Sequence, residues 1–217
     1  MRTRLPTGLY VITDAGHCER LGLAAAVSAA IDGGAATVQY RDKSSDGSRR
    51  RGEAAALGEL CRRRGVAFLI NVDTGLAVAV DADGVHLGRE DDDPRHARGL
   101  LGPDRLIGVS CYDSLDRARD AQARGCDYVA FGSAFPSSTK PSACRAPLDL
   151  FRRAVGELEI PIVAIGGITP GNAQPLLAAG CHSLAVVSGV FAMDDVRAAA
   201  AAYACLFESA ARADRIE

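Results

Sequence analysis

With 217 residues, 48% of them hydrophobic and 24% charged, the chain has the balance of a globular protein with room for one large core. A net charge of −2 excludes a global field that would draw it to nucleic acid or an anionic membrane. Seven cysteines are scattered singly with no C-x-x-C pair, which argues against a zinc site or a disulfide framework and for reduced thiols in a cytoplasmic setting. The apolar run after Arg2 and Arg4 ends at Asp14, too short for a signal peptide, and no stretch approaches the ~20 apolar residues that span a bilayer.

Taken in order, residues 8–13 read as a first strand and 21–31 as an alanine-rich helix closed by Gly33-Gly34. A strand at 37–40 precedes a helix at 49–64 that ends at Gly65. Strand 68–71 is followed by a short helix near 76–80, and strand 84–87 by a helix opening at Pro94. Strand 106–110 leads to a helix capped by Asp113 or Ser114 and stopped by Gly125. Strands at 128–131, 161–165 and 184–187 are followed by helices at 147–158, 170–179 and 194–211. Eight β-branched runs thus alternate with eight helical segments, and no linker divides them.

This alternation predicts an α/β fold in a single domain over 1–217, with a parallel sheet closed into a (β/α)₈ TIM barrel. An open doubly wound sheet is the rival. Eight near-equal units, and no G-x-G-x-x-G after the first strand, count against it. The clusters Arg49-Arg50-Arg51 and Arg62-Arg63-Arg64 at the ends of one helix read as solvated faces. The sequence sets no oligomeric state.

Barrel enzymes work on the loops at the carboxyl ends of their strands. Gln39, Arg41 and Lys43 follow the second strand, on alternating positions. Asn71, Val72 and Asp73 follow the third, Arg89, Glu90 and Asp91 the fourth, and Ser110 closes the fifth. Past the sixth come Ser137, Thr139 and Lys140; past the seventh, Gly166 and Gly167; past the eighth, Ser188 and Gly189. Singly, each is ordinary: Gln-x-Arg-x-Lys suits a surface strand end, Gly-Gly a turn, and 90–93 an exposed acidic loop. Convergence on one rim favours a site for a phosphate-rich substrate, with cationic side chains and bare backbone N–H groups as donors. Asp91 with a second carboxylate or carbonyl suits a magnesium ion bridging phosphate oxygens. The four histidines have no ligating spacing, and His86 reads as a packed or hydrogen-bonded core residue.

At these residues the sequence resembles the thiamine-phosphate synthase family. The resemblance runs through Leu-Tyr-Val-Ile-Thr-Asp near the start, Gln-Tyr-Arg-Asp-Lys at 39–43 and Ala-Asp-Gly-Val-His-Leu-Gly-Arg-Glu-Asp at 82–91. It continues with Ile-Gly-Val-Ser at 107–110, Phe-Gly-Ser-Ala-Phe-Pro-Ser-Ser-Thr-Lys at 131–140, Val-Ala-Ile-Gly-Gly-Ile at 163–168 and Ala-Val-Val-Ser-Gly at 185–189. It implies a (β/α)₈ barrel that joins a hydroxymethylpyrimidine diphosphate to a thiazole phosphate, with magnesium assisting and pyrophosphate leaving. It implies that Gln39, Arg41, Lys43, Asn71, Ser110 and Lys140 hold the pyrimidine diphosphate, with Arg41, Lys43 and Lys140 stabilising the departing charge. Ser137, Thr139, Gly167, Val187 and Ser188 would hold the thiazole phosphate, and Asp91 would ligate magnesium. Ser137 stands where the family usually has threonine, which keeps the hydroxyl donor.

One departure stands out. The family reads Asn-Asp after the third strand, the aspartate being its other metal ligand, and here the pair is Asn71-Val72. Asp73 or a water is the substitute on offer, and weakened metal binding is expected. Two other functions remain open. One is the related thiazole tautomerase, which lacks that aspartate; retention of Arg41, Lys43, Asp91 and the Ser-x-Thr-Lys loop favours the synthase. The other is a non-catalytic paralogue that binds thiazole or thiamine phosphate, recommended only by Val72.

Overall fold

A computed structural model describes residues 4–88, 91–136 and 144–213. Eight strands, β1 (Gly8–Ile12), β2 (Ala35–Tyr40), β3 (Ala67–Asn71), β4 (Gly84–Leu87), β5 (Leu106–Tyr112), β6 (Tyr128–Phe131), β7 (Ile162–Ile165) and β8 (Ser183–Val186), follow one another around a closed barrel. Every neighbouring pair is parallel, including β8 with β1. The expected closed barrel is what forms, and the open sheet is excluded.

Between the strands run α2 (Leu23–Asp32), α3 (Gly47–Arg64), α4 (Thr74–Ala79), α5 (Pro94–Leu101), α6 (Leu115–Ala123), α7 (Leu148–Glu157) and α8 (Gln174–Ala178), with α10 (Val196–Ala213) last. Two one-turn helices, α1 (Ala15–Cys18) and α9 (Ser188–Phe191), were not expected, and α8 is half the length predicted. Four residues give no periodic apolar face to read. Asp46, Asp73, Asp93 and Ser114 each accept a hydrogen bond from a first-turn backbone N–H, fixing where α3, α4, α5 and α6 begin at the rim.

Alternate side chains of each strand point to opposite sides. Tyr10, Ile12, Leu69, Leu106, Tyr128, Ala130, Val163 and Ala185 form an inner cluster that fills the barrel. The other faces, with Leu9, Val11, Val38, Phe68, Ile70 and Val85 among them, join the helices in the larger core. All seven cysteines are free thiols, five of them buried. Among the described residues no helix is long and apolar enough to cross a membrane.

Candidate active site

Inward-facing positions at the carboxyl ends of the strands carry the polar groups. β2 delivers Gln39, and Arg41 and Lys43 follow beyond it. Arg41 is tied to the end of β1: its backbone N–H donates to Thr13 Oγ1 at 2.9 Å, and its Nη1 lies 3.4 Å from Asp14 Oδ2. The next loop is held from outside by Asp42, whose carboxylate accepts from Ser44 N at 2.6 Å and from Arg49. Lys43, between them, is exposed and reaches an open cleft of about 730 Å³.

Asn71, Val72, Asp73, Asp91 and Asp92 share the wall of that cleft with Lys43. Asp91 folds back so that Oδ2 accepts from Gly88 N at 2.5 Å, and Asp92 Oδ2 accepts from Thr74 Oγ1 at 3.3 Å. Arg50 is on the same wall, contrary to the expectation of a solvated arginine run. Its Nη2 donates to Asp73 Oδ2 at 2.9 Å, while Asp73 Oδ1 caps α4 through Leu76 N at 2.8 Å. Both oxygens of Asp73 are therefore engaged. Val72, between Asn71 and Asp73, has φ +68°, a conformation that Asn and Asp tolerate and a β-branched residue resists. Among the described residues no group of three His, Cys, Asp or Glu side chains gathers closely enough to hold a metal by itself.

Across the barrel, five polar side chains from five strands touch in sequence. Gln39 Nε2 donates to the Tyr10 hydroxyl at 2.6 Å, and the hydroxyls of Tyr10 and Tyr128 are 3.0 Å apart. His86 Nδ1 is 2.9 Å from the Tyr128 hydroxyl, and its Nε2 is 2.9 Å from Ser110 Oγ. Gln39, Tyr10 and Tyr128 are buried, whereas His86 and Ser110 keep some accessible surface. Burial pushes the His86 pKa down to about 4 and the two tyrosine pKa values up, so all three are neutral near pH 7. The reading of His86 as a hydrogen-bonded core residue holds, but its partners were not foreseen.

Among the described residues, the rim near β7 and β8 offers mostly backbone. Gly167 has φ +64°, and a Cβ there would come within 2.2 Å of Pro136 O, so only glycine fits against this loop. Backbone hydrogen bonds from Ala134 N to Ile165 O and from Phe135 N to Gly166 O, both 2.9 Å, pin the start of the β6 loop to β7. Val187 packs against the inner cluster and precedes α9, which begins at Ser188. Ser137, Thr139 and Lys140, with Arg89 and Glu90, lie outside the described residues.

Comparisons with known proteins agree with this architecture. Residues 9–190 match the family model described as thiamine monophosphate synthase. A thiamine-phosphate synthase of Thiobacillus denitrificans is 53% identical over 208 residues, covering 95% of this chain and 97% of that one. Its counterpart from Aromatoleum aromaticum is 52% identical, covering 95% and 99%. A solved thiamine phosphate pyrophosphorylase from Pyrococcus furiosus superposes with a TM-score of 0.85 at 36% identity, covering 94% and 96%. A solved KDPGal structure, at 19% identity and a TM-score of 0.72, shares the fold alone. With the match running along nearly the whole barrel, the chain belongs to the thiamine-phosphate synthase family of enzymes.

Proposed function

We propose that this protein condenses a 4-amino-2-methylpyrimidine bearing a 5-diphosphooxymethyl group with a hydroxyethylthiazole phosphate, or its carboxylated form, to give thiamine phosphate and pyrophosphate. The observation that carries this reading is that Lys43, Asn71 and Asp91, from three successive strand ends, line one cleft, with Asn71 paired in register with His86.

The reaction is leaving-group and cation management. The methylene–oxygen bond to pyrophosphate breaks first, and the aminopyrimidine ring delocalises the positive charge. The neutral thiazole nitrogen then attacks the methylene, so no general base is required. Lys43 and Arg41 stabilise the negative charge that develops on pyrophosphate, and Lys140 of the sequence motif shares that role. Gln39, Asn71 and Ser110 hold the pyrimidine diphosphate. Ser137, Thr139, Gly167, Val187 and Ser188 hold the thiazole phosphate, and binding both substrates at one rim keeps the two rings in contact. Losing one such charge-assisted contact would cost about 2–4 kcal/mol of transition-state stabilisation.

Magnesium would need substrate and water oxygens beside the protein's own carboxylates, a habit of this cation. Asp91, with Asp92 beside it, would supply those carboxylates, and Asp73 is the weaker choice because Arg50 and the α4 cap already occupy it. When bound, the ion adds positive charge at the diphosphate oxygens.

The test is incubation with both substrates and magnesium while following pyrophosphate. Release in step with thiamine phosphate is expected. Tautomer exchange of the thiazole without pyrophosphate would make the protein an isomerase, and binding without turnover would make it a sensor.

A further inference from the structure

The five-residue line through the barrel has a direction. Gln39 donates from Nε2, so the Tyr10 oxygen accepts there and its own O–H is left to donate to Tyr128. Tyr128 in turn donates to His86 Nδ1, which places the imidazole proton on Nε2, facing Ser110 Oγ. Ser110 accepts that bond, and among the described residues its hydroxyl proton has no other acceptor. At the far end the Gln39 amide oxygen has no donor among the described residues. Every internal donor and acceptor along the line is matched, and each bond polarises the next.

That polarity fits the charge separation of the proposed reaction. As pyrophosphate leaves, positive charge spreads onto the aminopyrimidine, whose amino N–H becomes a stronger donor, while negative charge gathers on the departing oxygen. We propose that His86 is a positioning residue, which through this line presents the Ser110 hydroxyl as a donor to the departing diphosphate and the Gln39 amide oxygen as an acceptor to the pyrimidine amino group. No proton is transferred along the line; its contribution is orientation set before the bond breaks. The inference rests on the synthase reading above.

The test compares three variants with the unaltered protein. His86→Phe removes both of the imidazole's hydrogen bonds and is expected to lower single-turnover pyrophosphate release about a hundredfold, with KM for the pyrimidine diphosphate changing less than threefold. His86→Gln can accept from Tyr128 through its oxygen and donate to Ser110 through its nitrogen, and is expected to recover most of that loss. Tyr10→Phe breaks the line at its buried middle with little change in shape, and provides the same readout should the phenylalanine at 86 fail to fold. In a Ser110→Ala background, His86→Phe is expected to add little further loss, because it acts through that hydroxyl.

Equal defects in His86→Phe and His86→Gln, fully additive losses with Ser110→Ala, or unchanged turnover in Tyr10→Phe would overturn the proposal. If the unaltered protein releases no pyrophosphate, the synthase reading fails instead, and the two failures are told apart by that control.

Discussion

The ring of Tyr128 lies directly over the α-carbon of Gly108, so closely that a Cβ on residue 108 would sit 1.9 Å from the tyrosine Cζ. β5 and β6 pair at this point, with Gly108 opposite Tyr128, and the missing side chain is the space through which the phenol reaches Tyr10 and His86. Gly108→Ala is therefore expected to displace the ring and break the hydrogen-bonded line. Overpacking of this kind costs about 1–3 kcal/mol, read as a lower urea midpoint at unchanged slope. Turnover should fall with it, and a structure of the variant should show Tyr128 moved off its contact with His86.

Val72 joins two effects that substitution can separate. Its backbone N–H donates to His86 O at 2.8 Å, which holds it at positive φ, where its branched side chain is disfavoured. Val72→Asn relieves the backbone without supplying a charge, and is expected to raise stability by about 0.5–1 kcal/mol with the magnesium requirement unchanged. Val72→Asp should bring the same relief and also lower the magnesium concentration needed for half-maximal rate. An unchanged magnesium titration in Val72→Asp would count against the expected weakening of metal binding.

Asp73 and Asp91 are neighbours on one wall with different work. Asp73→Ala removes the α4 cap and the partner of Arg50, and is expected to cost about 1–2 kcal/mol of stability while leaving the magnesium response in place. Asp91→Ala should do the reverse, abolishing the magnesium response with a smaller change in melting temperature. Thermal unfolding and magnesium titration of both proteins decide the assignment.

His86 makes stability depend on pH in a known direction. Its pKa is lowered from 6.5 to about 4 by burial, so the unfolded chain binds a proton more readily than the folded one. The contribution of the neutral imidazole is complete above pH 6.5 and is lost as the pH falls from there to about 4, a total of at most about 3 kcal/mol. Unfolding midpoints measured across this window should fall more steeply for the unaltered protein than for His86→Gln, which cannot titrate.

The barrel was legible because strands buried on both faces read as short apolar runs, and because alternation then fixes which residues face inward. The places of Gln39, Asn71 and Ser110 at strand ends follow from that pattern. Arg50 was not legible: within three consecutive arginines nothing distinguishes the inward one, and its direction depends on α3 starting at Gly47, two residues earlier than its sequence suggests. The same kind of offset concealed Asp73. With α4 expected near residue 76, the aspartate looked free for a metal, whereas the helix opens at Thr74 and uses it as a cap. Tyr10 and Tyr128 are 118 positions apart, and no local pattern says that their hydroxyls meet. Val72 showed in the sequence as a missing carboxylate, but its backbone conformation is visible only in three dimensions.

That meeting of Tyr10 with Tyr128 also bears on how the enzyme comes into being. Local pieces such as α3 against β3 can assemble early, whereas contacts between the first and sixth strands carry a large loop-closure cost and form late. Recovery of catalytic turnover during refolding should consequently trail the recovery of helical circular dichroism, because the line from Gln39 to Ser110 does not exist until the two halves of the sheet have found each other.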